Sequence, residues 1–382
     1  MKLAVMIVLA LLSYSAMMGS RVAISLTALK LTDSTLITGM LVAMFSVLPI
    51  FLGLSVGRLL DRFGLMRPIF GAMAVSLLGM LAPFIYPSVW TLAFSSAANG
   101  IAFMTAALAM TNAGALIGRV EERTRNLSWI FLGNSFGMGI GPLITGFGID
   151  HAGHRETFLL LALLPALAIV LLLAAGRFIP GGRGSGKPAA GNLMECLREP
   201  ALRSMLLSQV LMSGCLEGFY FIVPLHGTRV GLSATTIGFI ISCAFVANFT
   251  TRSFMPMLLR HVNESTLVAA MFLVAGISIA PFALFSNPAM LMVLSAGVGI
   301  CHGVALPILS SLIFTASPAG RQGEVGGVRT MLTSVTIGMT QLLAGAFSSV
   351  IGIAPVAGLI AAMAFGGSWF VRQRVRSHVR AP

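Results

Sequence analysis

Twelve long apolar runs follow one another along this chain, and no other feature of the sequence limits its possible folds so strictly. The inside of a bilayer offers no water to unpaired backbone groups, so only helices and closed barrels cross it. The runs are too long for barrel strands and match the roughly 20 residues that a spanning helix needs. We therefore expect an all-α membrane protein with twelve transmembrane helices. The predicted spans are 3–29, 36–58, 69–86, 88–118, 127–149, 155–176, 201–226, 233–258, 265–286, 288–316, 327–350 and 353–371.

The composition agrees with a lipid bilayer as the surrounding medium and argues against other classes of protein. Charged residues make up 9% of the chain, against about a quarter in soluble domains. The net charge of +13 could suggest a nucleic-acid partner. Proteins that bind nucleic acid gather their basic residues on one solvated face, whereas here they lie between apolar runs. We expect no nucleic-acid partner.

Enzyme and metal motifs are missing from the sequence. It contains neither a Walker phosphate loop nor an HExxH zinc motif, so we predict neither an enzyme nor a cofactor. The cysteines have no CxxC spacing and are expected to be free thiols without a metal site. They are Cys196, Cys215, Cys243 and Cys301.

The positive charges predict the orientation of the chain in the membrane. Lysine and arginine favour the cytoplasmic side of a membrane protein. Of the 24 such residues, all but four fall on one side of the predicted spans. The exceptions are Lys30, Arg155 and Arg229 on the opposite side and Arg21 inside a span. We therefore expect both termini in the cytoplasm of a bacterial-type cell, with the chain in its inner membrane.

A linker at 177–200 divides the chain into two predicted six-helix halves, 1–176 and 201–382. Its Gly, Pro and Ser content is typical of a flexible segment. The halves resemble each other when one is shifted along the other, and paired repeats around a cavity are a recurring transporter design. A shift of 199 pairs Gly39 with Gly238, Gly100 with Gly299 and Gly146 with Gly345; a shift of 195 pairs Ser13 with Ser208 and Gly19 with Gly214.

The segment 57–68, "GRLLDRFGLMRP", concentrates charge between the second and third predicted spans. Gly57 is expected to let the second helix approach a neighbour closely, and Gly64 to permit a tight turn. Asp61 can face an arginine or a helix N-terminus. Contacts of this kind can hold one conformation shut.

This pattern closely resembles the signature loop of the major facilitator superfamily. The resemblance rests on Gly57, Asp61, Arg62, Gly64 and Arg67. It implies two pseudo-symmetric halves that rock about a central cavity, with Asp61 and Arg62 forming a cytoplasmic latch. The alternative is a basic loop that only anchors the protein at the membrane.

The fifth predicted span contains "GNSFGMGIGPLITGFG". Glycines at 133, 137 and 141 form a smooth stripe for close helix packing, and Pro142 removes a backbone donor. Gly137, Gly141, Pro142 and Gly146 resemble the antiporter motif of drug-and-proton exchangers, which implies export. Glycine-mediated packing alone is the alternative. Ser128 and Thr145 stand where that motif has glycine, and Ser96 stands where those exporters carry an arginine on the fourth helix.

Two charged residues lie well inside predicted spans, Arg21 in the first and Glu217 in the seventh. Charges at this depth are unfavourable and mark functional sites by default. The repeat places both at similar depth, and in the superfamily the corresponding helices line the cavity. They either form an ion pair that joins the halves, or Arg21 binds an anionic substrate group while Glu217 takes up a proton. A pair that substrate or proton breaks would combine both roles.

Other polar residues in spans are candidates for the cavity. His302 is a possible proton relay, with a hydrogen-bonded packing role as the alternative. Hydrogen-bonding groups are expected from Tyr14, Asn99, Tyr220 and Gln341. Each of these could instead join two helices.

These features predict a secondary transporter that moves a small organic solute by alternating access. The preferred function is proton-coupled export of an apolar or weakly anionic molecule by a monomer. One alternative is proton-symport import of an organic anion, which would give Arg21 the leading role. Another is a membrane sensor or assembly partner that transports nothing.

Overall fold

The computed structural model describes residues 2–116, 123–175, 199–317 and 322–375. Almost all of these residues lie in twelve α-helices. The helices are α1 (Lys2–Thr32), α2 (Thr35–Phe63), α3 (Met66–Ile85), α4 (Val89–Leu116), α5 (Arg123–His151), α6 (His154–Ala175), α7 (Pro200–Arg229), α8 (Ala234–His261), α9 (Glu264–Ile279), α10 (Pro288–Thr315), α11 (Gln322–Ile351) and α12 (Ile353–Phe370). A 3-10 turn, Phe282–Leu284, precedes α10, and a π-helical turn, Val371–Val375, follows α12.

The predicted number and order of helices are confirmed. Within the described ranges, twelve helices are long and apolar enough to cross a membrane. One difference concerns the charged segment after the second span. α2 continues to Phe63, so Asp61 and Arg62 belong to the helix and not to a loop. The helix runs through the charged residues and ends at Gly64, which makes the turn with a φ of 72° that suits glycine.

The helices form two compact units. The first comprises Met1–Pro188 together with Gly231–Ser242, and the second comprises Ala189–Val230 together with Cys243–Pro382. The first few turns of α8 therefore cluster with the first six helices. The predicted boundary at 177–200 stays a prediction, because residues 176–198, including Cys196, lie outside the described residues.

In the first unit, α1 is the central helix. It packs most extensively against α5 and also contacts α6, α4 and α2, while α3 packs against α4 and α6. Side chains from all six of these helices form a buried apolar core that includes Met6, Leu60, Ile69 and Met110. The boundary before α2 is set locally, since the Ser34 hydroxyl oxygen accepts a hydrogen bond from the Ile37 amide at 3.3 Å.

In the second unit, α7 takes the central place. It packs against α11, α12 and α10, and α9 packs against α12 and α10. Asn287 caps α10 by accepting a hydrogen bond from the Ala289 amide at 2.9 Å. His226, near the end of α7, is buried, and its Nε2 lies 2.7 Å from the carbonyl oxygen of Phe285. This bond fixes the turn before α10 to the end of α7.

Large apolar side chains cover much of the outer surface. Trp90 is 84% exposed, Val350 81% and Phe51 76%. A soluble protein rarely presents extended apolar patches to water, whereas lipid chains are a suitable neighbour for such side chains. The helices thus bury one face in the protein and offer the other to the bilayer.

Candidate functional site

Glu217 lies near the middle of α7 and contacts α11. Its Oε2 accepts a hydrogen bond from Nε2 of Gln341 at 3.1 Å. Glu217 is half-buried and Gln341 is fully buried. The other amide atom of Gln341, Oε1, is buried without a hydrogen-bond partner. Two residues that the sequence suggested separately for the cavity are therefore joined in one contact.

Glycines on α7 allow this contact. A Cβ at Gly214 would meet Thr336 and Thr340 of α11 at 3.5 and 3.4 Å, and one at Gly218 would meet Thr340 at 3.3 Å. These distances mean that the threonine methyls and hydroxyls already rest on the bare backbone of α7. The helices approach closely enough for the Gln341 amide to reach the carboxylate on the same face.

Tyr220 follows Glu217 by three residues, so both side chains lie on one face of α7. The Tyr220 hydroxyl lies 3.4 Å from Nδ1 of His302 on α10. Its ring stacks on Phe245 of α8, with centroids 5.3 Å apart and planes 11° apart. The structure therefore brings Tyr220 and His302 together, and it adds an aromatic surface that the sequence did not indicate.

Two polar residues of α8 lie near this group. Asn248 is buried, and its Oδ1 has no hydrogen-bond partner; its carbonyl oxygen would lie 2.6 Å from a Cβ at Gly303. Arg252, one helical turn further, interacts electrostatically with His302. The charge pattern placed Arg252 near the cytoplasmic end of the predicted span 233–258, and it lies within a helix that qualifies as a span. A glycine beside a histidine, as in "CHGV", was the available signal for a close helix contact.

Arg329 is a second arginine near the cytoplasmic end of a predicted span, 327–350, and it lies on α11 near the start of a candidate span. Its Nη1 donates to the Ser310 hydroxyl at 2.8 Å, and its guanidinium carbon lies 5.9 Å from the Phe314 ring centroid. Both partners are on α10. The partial burial of this cation is therefore supported by a hydroxyl and an aromatic face.

In the first unit, Arg21 of α1 lies beside Phe45 of α2. The guanidinium carbon is 5.7 Å from the ring centroid, a cation–π distance. Gly100 of α4 holds this part of α2 in place, because a Cβ at Gly100 would overlap the Phe45 carbonyl oxygen. Tyr14 packs edge-on against Phe103, with centroids 4.9 Å apart. Arg21 belongs to the first unit and Glu217 to the second, and their predicted ion pair stays a prediction.

Asn99 takes the packing role that was its alternative. It is 2% exposed, its Oδ1 accepts from the Ser76 hydroxyl at 2.6 Å and its Nδ2 donates to the Ser95 carbonyl at 2.8 Å. These bonds tie α4 to α3 and use both ends of the amide. Asn99 thus has the helix-packing role, and its assignment to the cavity stays a prediction.

The glycine stripe of α5 faces α1. A Cβ at Gly133 would lie 2.7 Å from the Ile7 carbonyl oxygen and one at Gly137 would lie 2.5 Å from that of Leu11, while one at Gly141 would overlap that of Ser15. Backbone lies against backbone along three turns. Thr145, a departure from the antiporter pattern, donates its hydroxyl hydrogen to the Gly19 carbonyl of α1 at 2.9 Å.

A second face of α5 meets the beginning of α8, within the first unit. A Cβ at Gly238 would lie 2.5 Å from the Pro142 carbonyl oxygen, and one at Gly146 would overlap that of Ala234. The Ser242 hydroxyl donates to the Gly139 carbonyl at 2.6 Å. The motif residues Pro142 and Gly146 thus serve a contact different from that of Gly137 and Gly141.

Asp150 completes this contact and was missed by the sequence reasoning. Its carboxylate accepts from the amides of Ala234 at 3.0 Å and Thr235 at 2.7 Å. These amides open α8 and have no partner within the helix, so an acidic group is favourable there. An aspartate at the end of a span gave no signal of a partner 85 residues away.

The residues of the predicted latch are only partly brought together. Arg62 stacks over Phe63, with its guanidinium carbon 5.2 Å from the ring centroid. Arg67 borders an open apolar groove of about 360 Å³ between α2, α3 and α4. The predicted close packing at Gly57 is wrong, because a Cβ there would meet open space. The Asp61 side chain lies outside the described residues, so the latch stays a prediction.

Within the described ranges, no group of three histidine, cysteine, aspartate or glutamate side chains could hold a metal ion. Cys215, Cys243 and Cys301 are free thiols. The described residues of the site offer one carboxylate, two amides, one imidazole and nearby arginines and aromatic rings. Such groups can bind, orient and exchange protons with a solute.

The chain belongs to the major facilitator superfamily. The family model described as "Major Facilitator Superfamily" matches residues 5–340, which cover most of the chain. Together with the twelve apolar helices, this establishes a multi-pass membrane protein that is a transporter and not an enzyme.

Two relatives are similar to the chain in sequence, and two solved structures are similar to it in fold. The chain is 23% identical over 321 residues to the class B tetracycline resistance protein of Escherichia coli, covering 78% of this chain and 75% of that protein. It is 26% identical over 318 residues to the class D tetracycline resistance protein of Salmonella ordonez, covering 78% and 76%. Its fold is similar to the nucleoside transporter NupG, with a TM-score of 0.79, 11% identity and coverage of 98% and 100%. It is also similar to a POT family transporter solved with a thioalcohol conjugated peptide, with a TM-score of 0.82, 11% identity and coverage of 99% and 96%.

Proposed function

We propose that the protein is a proton-coupled exporter of a small organic molecule and that Glu217 is its proton-binding residue. The observation that carries the proposal is an acidic side chain near the middle of an apolar helix, held by a buried amide. An ionisable group at such a depth is unfavourable unless it serves transport or pairs with another group. A carboxylate can alternate between charged and neutral forms, which is what coupling requires.

The direction of transport is inferred from the relatives and from α5. A resistance protein built on a transporter scaffold protects a cell by removing the drug, and two relatives carry the name tetracycline resistance protein. The antiporter-like residues of α5 support the same direction. The stacked Tyr220 and Phe245 rings offer an aromatic surface to an apolar solute.

Arg21 is proposed to bind an anionic group of the solute, or the Glu217 carboxylate when no solute is bound. Its guanidinium rests on the Phe45 ring, which holds a cation without neutralising its charge. We further propose that the protein lies in a bacterial-type inner membrane with both termini in the cytoplasm. The uneven distribution of basic residues along the sequence supports this orientation.

Purified protein in liposomes with an imposed pH gradient tests the proposal. The first probe is tetracycline, followed by a panel of small aromatic and weakly acidic molecules. Wild type is expected to move a probe against its gradient while protons move the other way, and Glu217→Gln is expected to lose this coupled movement. Glu199→Gln is the matched control, because Glu199 precedes the same helix and is exposed.

Other outcomes would redirect the proposal. Coupled movement that is equal in Glu217→Gln and wild type would remove Glu217 as the proton-binding residue. Movement of probe and protons in the same direction would favour import of an organic anion, with Arg21 as the main residue that binds it. A protein that binds probes but moves none of them under any gradient would be a sensor or assembly partner.

A further inference from the structure

Gln341 presents an unusual hydrogen-bonding arrangement. Its amide nitrogen is used by the Glu217 carboxylate, yet its carbonyl oxygen is buried without a partner. The side chain is 0% exposed, so water does not reach it. A buried acceptor without a donor is unfavourable and calls for an explanation.

The chemistry of the two side chains supplies one. A carboxylate only accepts hydrogen bonds, whereas a carboxylic acid also donates one. A primary amide does both, and a rotation of its last bond exchanges its oxygen and nitrogen in nearly the same volume. The observed arrangement, with nitrogen toward Glu217 and the oxygen idle, therefore suits the charged form of Glu217. In the neutral form, the carboxylic O–H needs an acceptor, and the idle oxygen is such an acceptor.

We propose that Gln341 is a positioning residue that follows the protonation of Glu217 by turning its amide, so that proton uptake alters the contact of α7 with α11. The inference rests on the proposed role of Glu217 in proton uptake. In the charged form Gln341 donates to the carboxylate. In the neutral form it accepts from the acid, and its NH₂ group takes the place that the idle oxygen occupied. Each proton thus changes which polar group α11 presents beside Glu217.

The surroundings leave few other groups that could do this. α12 packs on α7, and its residues Ile353–Phe370 include no titratable side chain. α10 and α8 provide His302 and Arg252, which lie with Tyr220 further along α7. α9 begins with Glu264 and otherwise has no charged residue in Glu264–Ile279. From the first unit, Arg21 is the predicted partner. Within the described part of the second unit, Gln341 is a neutral group in direct contact with the carboxylate.

Gln209 provides a matched control. It is also buried, at 4% exposure, and its Oε1 also lacks a hydrogen-bond partner. Its Nε2 points to the Ser213 hydroxyl at 3.4 Å and not to a carboxylate. Because a hydroxyl keeps both donor and acceptor character at all pH values near neutrality, Gln209 has no reason to turn when Glu217 is protonated.

The test is infrared difference spectroscopy of the full-length protein in lipid, recorded between high and low pH. The protein is labelled with carbon-13 in the side-chain carbonyl of glutamine, which separates the infrared signals of its four glutamines from those of the backbone. Wild type is expected to gain a carboxylic acid band that Glu217→Gln, recorded without label, lacks. A glutamine carbonyl band is expected to shift with the same midpoint. Gln341→Leu should remove that shift, and Gln209→Leu should leave it. Gln341→Asn, which also removes the label, replaces Gln341→Leu if the latter does not fold.

The midpoint gives a second readout. Gln341→Leu removes the amide bond from both forms of Glu217, but the bond to the charged form is the stronger one, so the acid band should appear at a higher pH, by about half a unit or about threefold in proton concentration. Gln341→Glu, which places a second carboxyl group beside the first, should move it in the same direction.

The outcomes separate the two proposals. An acid band of Glu217 without any glutamine carbonyl shift would overturn the role of Gln341 and leave Glu217 as the proton-binding residue. If no acid band depends on Glu217 between high and low pH, the proposed function itself fails.

Discussion

The contact of α1 with α5 and the contact of α7 with α11 are counterparts under the internal repeat, yet different parts of the residues meet in them. The 199-residue shift that pairs Gly146 with Gly345 places Gly137 on Thr336 (137 + 199) and Gly141 on Thr340 (141 + 199). In the first pair, α5 is bare and its glycines touch backbone carbonyls of α1. In the second pair, threonines of α11 rest on glycines of α7. The same shift places Pro142 on Gln341.

Because of this difference, the contact of α1 with α5 is rigid, whereas the contact of α7 with α11 contains polar side chains. Backbone against backbone leaves no room for a side chain, so α1 and α5 meet in one register. Side chain against glycine leaves polar groups between α7 and α11, including a carboxylate and an amide that can rearrange. One scaffold thus holds a firm contact in the first unit and a titratable contact in the second.

Giving each helix the residue of its counterpart is expected to have the largest effect on stability. Gly141→Thr places a branched side chain onto the Ser15 carbonyl and is expected to destabilise the protein by about 3 kcal/mol or more, since overpacking of this kind displaces backbone. Thr340→Gly only removes atoms and should lose about 1–2 kcal/mol. Thermal unfolding in detergent, followed by helical circular dichroism, measures both. Equal losses for the two variants would refute the contrast.

Gly141→Ala and Gly358→Ala sharpen the same point with one methyl group. Gly141→Ala should lose about 2 kcal/mol because its Cβ overlaps backbone. A Cβ at Gly358 would meet open space, so Gly358→Ala should be neutral or gain up to about 1 kcal/mol from helix propensity. The same thermal scans decide between them. A stable Gly141→Ala variant would mean that α1 and α5 can separate without loss.

Asp150→Ala tests whether the contact of α5 with the start of α8 depends on charge and hydrogen bonding. Loss of both amide partners should lower stability by about 1–2 kcal/mol, as for other helix caps. Asp150→Asn keeps one acceptor oxygen and should lose less than half of that. Hydrogen exchange of the Ala234 and Thr235 amides, read by mass spectrometry, reports the contact directly. Unchanged exchange in Asp150→Ala would show that the glycines alone hold α8 in place.

Thr145→Val is expected to have the smallest effect on stability. Valine has the same shape, and the lost hydroxyl leaves the Gly19 carbonyl without this donor, so stability should fall by about 1 kcal/mol. Thr145→Ser, which keeps the hydroxyl, is the control. A Val variant as stable as wild type would show that the glycine stripe needs no hydrogen bond to hold α1.

Much of the fold followed from the sequence because its signals are local. The length of an apolar run predicts a span, and the turn at Gly64 is a property of one residue with φ of 72°. For the site, the spacing of Glu217 and Tyr220 on one helix also follows from helical geometry. Asn99 shows the limit, since a polar residue in a span looks the same in sequence whether it faces a cavity or, as here, binds Ser76.

The sequence alone determined that this chain is a twelve-helix member of a transporter superfamily, because hydrophobic length and a signature motif are read within short stretches. The tertiary structure decided which surfaces meet. It set Gln341 against Glu217 across 124 residues, turned Gly141 toward a carbonyl while leaving Gly57 open, and placed Asp150 on the first amides of α8. These pairings depend on the packing of distant helices, and a helix of uniform apolarity does not reveal which of its faces a neighbour will cover.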